Sequence, residues 1–104
     1  IFMQITTNIS NHNLIISLSG RLDTITSPQL EEEINRNSFD EIETVTLNMR
    51  ALEYVSSAGL RVVLKLHKKM TAQGGQLKLI NVNDMIMEIF TMTGMDSFLE
   101  IDKA

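Results

Sequence analysis

Two adjacent hydroxyl residues, Ser56 and Ser57, stand where the pattern of the chain changes from strand to helix. Before them, Val45 and Leu47 alternate with polar residues, which is typical of a strand. After them, apolar residues recur at helical spacing from Leu60 onward. A serine at such a junction can cap the helix, because its oxygen accepts a hydrogen bond from an otherwise unpaired backbone N–H. The same hydroxyl could also accept a phosphoryl group.

A phosphate added at this junction would meet free N–H donors and the partial positive charge of the first helical turn. Arg61 follows Ser57 by four residues and therefore lies on the same stripe of the helix. These features fit a phosphorylation switch, and an ordinary capping serine is the alternative that the spacing leaves open. A hydrolase nucleophile at Ser57 would need a base nearby, and neither His12 nor His67 is placed for that role.

The first part of the chain predicts a hairpin followed by a helix. Residues 3–19 contain two alternating runs around the turn residues 11–13. Residues 20–26 are predicted to form a loop. Ser27 then has the character of an N-cap, with Pro28 at the first helical position.

The rest of the chain alternates strands and helices. A strand over 44–48 is followed by loop residues, a helix over 58–71 and a Gly-Gly turn. A buried strand over 77–82 precedes a third helix that Asn83 is predicted to cap. The predicted apolar side of this helix consists of Met85, Ile86, Ile89 and Phe90. Phe98, Leu99 and Ile101 are predicted to form a last short strand.

This order of elements predicts an α/β fold with a mostly parallel mixed sheet, to which the opening hairpin adds an antiparallel pair. Partners of such sheets bind at the carboxyl ends of the strands. Ser56 and Ser57 follow one such end and Asp23 follows another, so we expect these residues to meet on one surface. Asp23 has two interpretations: it serves this surface, or it only accepts hydrogen bonds from backbone N–H groups of its own loop.

The composition excludes several classes of function. The chain has 104 residues and a net charge of −4, which argues against general nucleic-acid binding. It contains no cysteine, so there is no disulfide framework and no thiol chemistry. No apolar run is long enough to span a membrane, and no secretory signal is visible. Met3 is a candidate native start, with Ile1-Phe2 as a remnant.

Three segments together resemble the STAS domain of bacterial anti-sigma factor antagonists. Tyr54-Val55-Ser56-Ser57-Ala58-Gly59-Leu60-Arg61 is similar to the family's signature. Gly20-Arg21-Leu22-Asp23 is similar to its Gly-x-Leu-Asp element, and residues 74–79 to its later turn and strand. The resemblance covers nearly the whole chain. It implies one STAS-like domain over residues 1–104, with the helices packed mainly on one face of the sheet.

The resemblance also implies a mechanism. Unphosphorylated members bind an anti-sigma factor that is itself a serine kinase, and so release the sigma factor. Phosphorylation of a serine just before the Gly-Leu pair ends that binding. By position this serine is Ser57. Many members carry Asp where this chain has Ser56, so Ser56 is the second candidate.

The resemblance thus implies a cytoplasmic switch protein that is not an enzyme, needs no cofactor or metal, and binds neither nucleic acid nor membrane. Its partners would be the kinase and a phosphatase. The expected partner-binding residues are Asp23, Thr24, Ser56, Ser57, Ala58 and Arg61. Arg61, Lys65 and Lys68 form a basic stripe, which is either a solvated helix face or a surface that meets an acidic partner. The alternative is a ligand-binding or signalling STAS module that phosphorylation does not regulate.

Overall fold

The computed structural model describes residues 3–104, in which an opening hairpin is followed by three α-helices that alternate with three further strands. The prediction about Ile1-Phe2 lies outside the described residues. The elements are β1 (Gln4–Ser10), β2 (Asn13–Leu22), α1 (Ser27–Arg36), β3 (Thr44–Val55), α2 (Ser57–Ala72), β4 (Gln76–Val82), α3 (Asp84–Met92), a 3₁₀ turn (Met95–Ser97) and β5 (Glu100–Lys103). The predicted order of strands and helices is confirmed.

The strands form one sheet in the order β1-β2-β3-β4-β5. β1 pairs antiparallel with β2, and the other three pairings are parallel. Every parallel crossover therefore steps to the next strand in the same direction. Because such crossovers are almost always right-handed, α1, α2 and α3 lie on the same face of the sheet. This arrangement confirms the predicted mostly parallel sheet with its helices on one face.

The core lies between the sheet and this helical layer. The sheet contributes alternate apolar residues, which are almost completely buried: Leu14, Ile16, Val45, Leu47, Leu77 and Leu79. The helices contribute Leu30, Ile34, Val63, Leu66, Ile86 and Phe90, also buried. The other face of the sheet has a polar character at Ser17, Asn48 and Lys78, all half-buried. One face of the sheet thus specifies the register, since a slip of one residue would expose the apolar set.

The strands β2 and β3 are longer than the sequence predicts. The predicted loop over 20–26 is wrong in its first half, because β2 continues through Leu22. The loop expected after residue 48 is also wrong, because β3 continues through Val55. The pairing of β2 with β3 shifts register between Ser17 and Ser19 and again between Gly20 and Arg21. These irregularities interrupt the alternation of apolar and polar residues, which is the signal that identifies a strand.

The start of α1 differs by one residue from the prediction. The N-cap position is occupied by Thr26, not Ser27, and Thr26 makes no side-chain capping bond there. The hydroxyl of Ser27 instead donates to the backbone oxygen of Asp23. The backbone N–H of Ser27 donates to the same oxygen at 2.8 Å. Ser27 is therefore held by the preceding turn, and Pro28 follows at the second helical position.

The C-terminal part of the chain confirms one prediction and corrects two. Asn83 caps α3 as predicted, since its side chain accepts a hydrogen bond from Ile86 N at 2.9 Å. Met85 does not belong to the buried side of α3 and is 61% exposed. The last strand starts at Glu100, after a 3₁₀ turn that leaves the Phe98 side chain 45% exposed. Met85 precedes the buried Ile86, so it projects away from the sheet.

Candidate functional site

The two serines at the start of α2 have different environments. Ser56 is the N-cap, with φ −95° and ψ 173°, and its Oγ accepts a hydrogen bond from Gly59 N at 3.2 Å. Its side chain is half-buried. Ser57 is the first helical residue and is exposed. The capping role that the sequence predicts thus belongs to Ser56, and the hydroxyl of Ser57 remains accessible to solvent.

The start of α2 packs directly on the end of β2. Ser56 N donates a hydrogen bond to the backbone oxygen of Leu22 at 2.8 Å. Gly59 is buried against the same residue, and a Cβ atom there would lie 2.7 Å from Leu22 Cγ and 3.0 Å from Leu22 O. A distance of 2.7 Å between carbons is far shorter than an ordinary contact. This close approach requires glycine at position 59, and it joins two of the segments that carry the family resemblance.

Asp23 begins the turn between β2 and α1. One carboxylate oxygen accepts hydrogen bonds from Ile25 N and Thr26 N, each at 3.0 Å. The Thr26 hydroxyl lies 3.1 Å from that oxygen and 2.7 Å from the backbone oxygen of Arg21, which it can reach as a donor. Asp23 N in turn donates to Thr26 Oγ1 at 2.8 Å. Asp23 therefore accepts hydrogen bonds from its own loop, which was one of its two interpretations, and it gives the turn a fixed shape.

This network lowers the pKa of Asp23 below its ordinary value. The largest cause is the hydrogen bond from Thr26 N, which favours the charged carboxylate. Desolvation opposes this shift by raising the pKa. The Thr26 hydroxyl, Ile25 N and the charge of Arg21 make smaller contributions that lower it. Asp23 is consequently ionised at neutral pH. Its charge is already engaged by the donors of the turn.

Arg21 and Tyr54 flank this turn, and the sequence-based interpretation did not include either among the site residues. They are register partners across β2 and β3. The Arg21 guanidinium carbon lies 4.3 Å from the centroid of the Tyr54 ring, within the range of a cation–π contact. Arg21 Nε is also 3.8 Å from Asp23 Oδ2. The two register shifts make this pairing invisible in the sequence. The only signal for Arg21 and Tyr54 was that both lie within segments that resemble the family.

A shallow groove of about 250 Å³ separates the N-terminal halves of α1 and α2. Three of the predicted partner-binding residues, Thr24, Ala58 and Arg61, line it. Asp23, Ser56 and Ser57 are not among its lining residues in the described chain. The predicted site thus divides into a groove on one side and an exposed hydroxyl with a rigid turn on the other.

The basic stripe on α2 is partly neutralised. Lys65 Nζ lies 2.7 Å from a carboxylate oxygen of Glu31 on α1, across the groove. Arg61 and Lys68 are exposed, and within residues 3–104 neither has an acidic partner at ion-pair distance. Two of the three predicted cations therefore keep free positive charge.

The structure of residues 3–104 contains no helix that is both long and apolar enough to cross a membrane. In the same range, no group of three or more histidine, aspartate and glutamate side chains is arranged to hold a metal ion.

The fold and the signature segments agree with comparison against known proteins. The sequence model of the STAS domain matches residues 4–104. The chain therefore belongs to the STAS domain family, as its Tyr54–Arg61 segment predicts.

Several proteins similar to this chain are named anti-sigma factor antagonists. The anti-sigma F factor antagonist of Paenibacillus polymyxa is 32% identical over 92 residues, which cover 85% of this chain and 76% of that protein. An anti-sigma factor antagonist from Mycobacterium paratuberculosis has a structure with TM-score 0.86 at 20% identity, covering 98% of this chain and 86% of that one. Names of this kind describe regulators, not enzymes.

The anti-sigma factor antagonist SpoIIAA has the same fold. Its unphosphorylated form gives TM-score 0.76 at 20% identity, over 97% of this chain and 89% of that one. The phosphorylated form of SpoIIAA from Bacillus gives TM-score 0.74 at 21% identity, over 94% of this chain and 90% of that one.

Proposed function

We propose that this protein is an anti-sigma factor antagonist whose binding to an anti-sigma factor with serine kinase activity is switched off by phosphorylation of Ser57. The observation that carries the proposal is the division of roles between two neighbours. The Ser56 hydroxyl is bonded to Gly59 N, whereas Ser57 is exposed at the first position of α2. A kinase can reach the Ser57 hydroxyl without opening the helix. Ser56, the second candidate, would first have to lose its capping bond.

In the proposed complex, the unphosphorylated protein docks through the turn at Asp23 and the groove beside it. The hydrogen bonds of Asp23 and Thr26 fix the turn before any partner arrives. Such pre-organisation favours binding, since less conformational freedom is lost on association. Arg61 and Lys68 supply positive charge at the edge of this face, which suits an acidic partner surface.

A phosphate on Ser57 would be compatible with the fold. The first intrahelical bond of α2 is donated by Leu60 N to Ser56 O at 2.9 Å, so the N–H groups of Ser57 and Ala58 come before the regular helical ladder. Free donors and the helix dipole both favour an anion at this position. The modified protein should therefore keep its structure, and the partner would sense the change.

The phosphate would instead act against the interface. It adds about −1.5 to −2 charges at neutral pH, and these must be desolvated when the two surfaces meet. A penalty of about 3–5 kcal/mol, typical of an uncompensated buried charge, lowers affinity by roughly two to four orders of magnitude. Nucleotide and metal would belong to the kinase, and a phosphatase would reverse the modification. This cycle would take place in the bacterial cytoplasm, where sigma factors act.

The direct test combines phosphorylation and binding. The protein is incubated with ATP and candidate anti-sigma kinases from the same genome, and the modified residue is mapped by mass spectrometry. Calorimetry then compares the modified and unmodified proteins against the same kinase. We expect one phosphate, on Ser57, and at least a hundredfold loss of affinity, within the estimate above. Equal affinity of the two forms would refute the switch. Binding of a nucleotide or fatty ligand by the isolated protein, without phosphorylation, would favour a ligand-binding STAS module.

A further inference from the structure

The two edges of the sheet are protected very differently. β5 is an edge of four residues, three of them charged, and Lys78 of β4 forms ion pairs with its Glu100 and Asp102. β1 is an edge of seven residues, Gln4–Ser10, with no charged residue and no proline. Exposed edge strands in natural proteins are usually shortened, charged or interrupted, because their free N–H and C=O groups pair with other chains. The edge at β1 has none of these protections.

The pattern of apolar and polar residues in β1 is symmetrical about its centre. Ile5 and Ile9 stand two residues on either side of Thr7, and polar residues occupy positions 4, 6, 8 and 10. The register Ile5↔Leu18 and Ile9↔Leu14 places both isoleucines on the helical face of the sheet. Ile9 is nevertheless 57% exposed, because no strand covers its outer side in the described chain.

This symmetry makes the edge complementary to itself. If two β1 strands pair antiparallel about Thr7, Ile5 of one copy faces Ile9 of the other, and Thr6 faces Asn8. Opposed β-branched apolar residues stabilise such a pair, and opposed like charges would weaken it. The protein carries a net charge of −4, but none of that charge lies on β1.

We propose that a second copy of this chain occupies the β1 edge, so that two sheets join into one continuous sheet with two-fold symmetry. The contact is isologous, which is the commonest arrangement in homo-oligomers. The segment matches its own reversed pattern, and for this reason a second copy is the occupant that fits. The start of α2 follows β3, two strands away from this edge, so the face around Ser57 stays open in the dimer.

A cysteine crosslink tests the register. The chain has no cysteine, so Thr7→Cys introduces a single thiol. In the proposed pairing the two Cys residues are directly opposite, at a Cα separation of about 4.5–5.5 Å that a disulfide can bridge. Gln4→Cys is the matched control on the same strand. Its two copies would lie about 20 Å apart, six residues along the strand, and cannot be bridged. We expect rapid dimer formation under mild oxidation for Thr7→Cys only. Equal rates for the two variants would overturn the register.

Charge variants test the dimer itself. Thr6→Lys with Asn8→Lys places like charges opposite each other, and Thr6→Glu with Asn8→Glu does the same with the other sign. Sedimentation equilibrium over about a hundredfold range of concentration should show each variant dimerising about tenfold more weakly than the parent. A mixture of the two should form a heterodimer at least as strong as the parent dimer. Thr71→Lys with Ala72→Lys adds the same charge at the exposed end of α2 and should change nothing.

Two outcomes would refute the proposal. One is a parent protein that remains monomeric throughout the concentration range. The other is a dimer that responds equally to the variants on β1 and to the control on α2. The second result would place the interface elsewhere on the molecule.

Discussion

The division of roles between Ser56 and Ser57 predicts that two neighbouring alanine substitutions have opposite effects. Ser56→Ala removes the oxygen that accepts the hydrogen bond from Gly59 N at 3.2 Å. Loss of an N-cap of this type costs about 1 kcal/mol, within a range of roughly 0.5–2 kcal/mol. The bond is somewhat longer than the usual 2.9–3.0 Å, so we expect a free-energy loss of about 1 kcal/mol or slightly less. Near this chain length, that loss lowers the melting temperature by about 4–8 °C.

Ser57→Ala should leave the free energy of unfolding nearly unchanged. Ser57 is exposed, and within the described residues its hydroxyl makes no hydrogen bond that alanine would remove. Alanine is also a strong helix former, so the change should stay within about 0.5 kcal/mol. Phosphorylation, in contrast, should disappear in Ser57→Ala and persist in Ser56→Ala.

Two measurements on the same samples check this pair. Urea denaturation at a common slope gives the free energy of unfolding, and mass spectrometry after treatment with the kinase gives the modification. Ser56→Asp is the matched control, because aspartate is an equally good N-cap and should restore stability. Unchanged stability in Ser56→Ala would show that the capping bond contributes nothing. Continued phosphorylation of Ser57→Ala would show that the proposed acceptor is wrong.

Three further predictions concern the surroundings of the site. Gly59→Ala should destabilise the fold by about 1–3 kcal/mol in urea denaturation, because its Cβ would lie 2.7 Å from Leu22 Cγ; an unchanged midpoint would contradict this contact. The lowered pKa of Asp23 should stabilise the fold above the ordinary carboxyl pKa of about 3.9, an effect lost as the pH falls through the folded-state pKa; the same acid profile in Asp23→Asn would exclude it. A double-mutant cycle on Lys65 and Glu31 should give a coupling of only about 0.2–1 kcal/mol, since both side chains are more than one-third exposed, and a much larger value would mean that the pair is shielded.

The sequence predicts the fold well where local and tertiary signals agree. The alternation at Val45 and Leu47 identifies the centre of β3, and Asn83 marks the start of α3. The second half of β3 could not be predicted in the same way. Its buried residues Met49, Leu52 and Val55 are three apart, a spacing that suggests no strand. They share a face because β3 bulges twice against β2, once between Asn48 and Ala51 and once between Leu52 and Tyr54, and each extra residue shifts the alternation by one position.

The candidate site shows the same limit. The sequence predicts that Asp23 and the two serines lie at one end of the sheet, because the carboxyl ends of parallel strands share an edge. It cannot distinguish two adjacent serines, since the N-cap and the first helical position differ by one residue. It also cannot show that Lys65 is paired with Glu31 on α1, because 34 residues separate the two partners. Both distinctions depend on how α2 packs against α1 and β2.

The contact between Gly59 and Leu22 explains why a phosphate at this site would alter binding without altering the fold. The start of α2 is held by the bond from Ser56 N to Leu22 O and by the tight packing of Gly59 on Leu22. Neither contact involves the Ser57 side chain. A charge added to Ser57 therefore breaks neither contact, and at an exposed helix N-terminus it adds only about 0.3–1 kcal/mol of stability. The effect of the modification must then arise in the complex, where the partner covers the new charge. For this reason Ser57→Asp should weaken binding in calorimetry while the melting curve stays nearly the same, and a large shift in melting temperature would show that the switch acts through the fold instead.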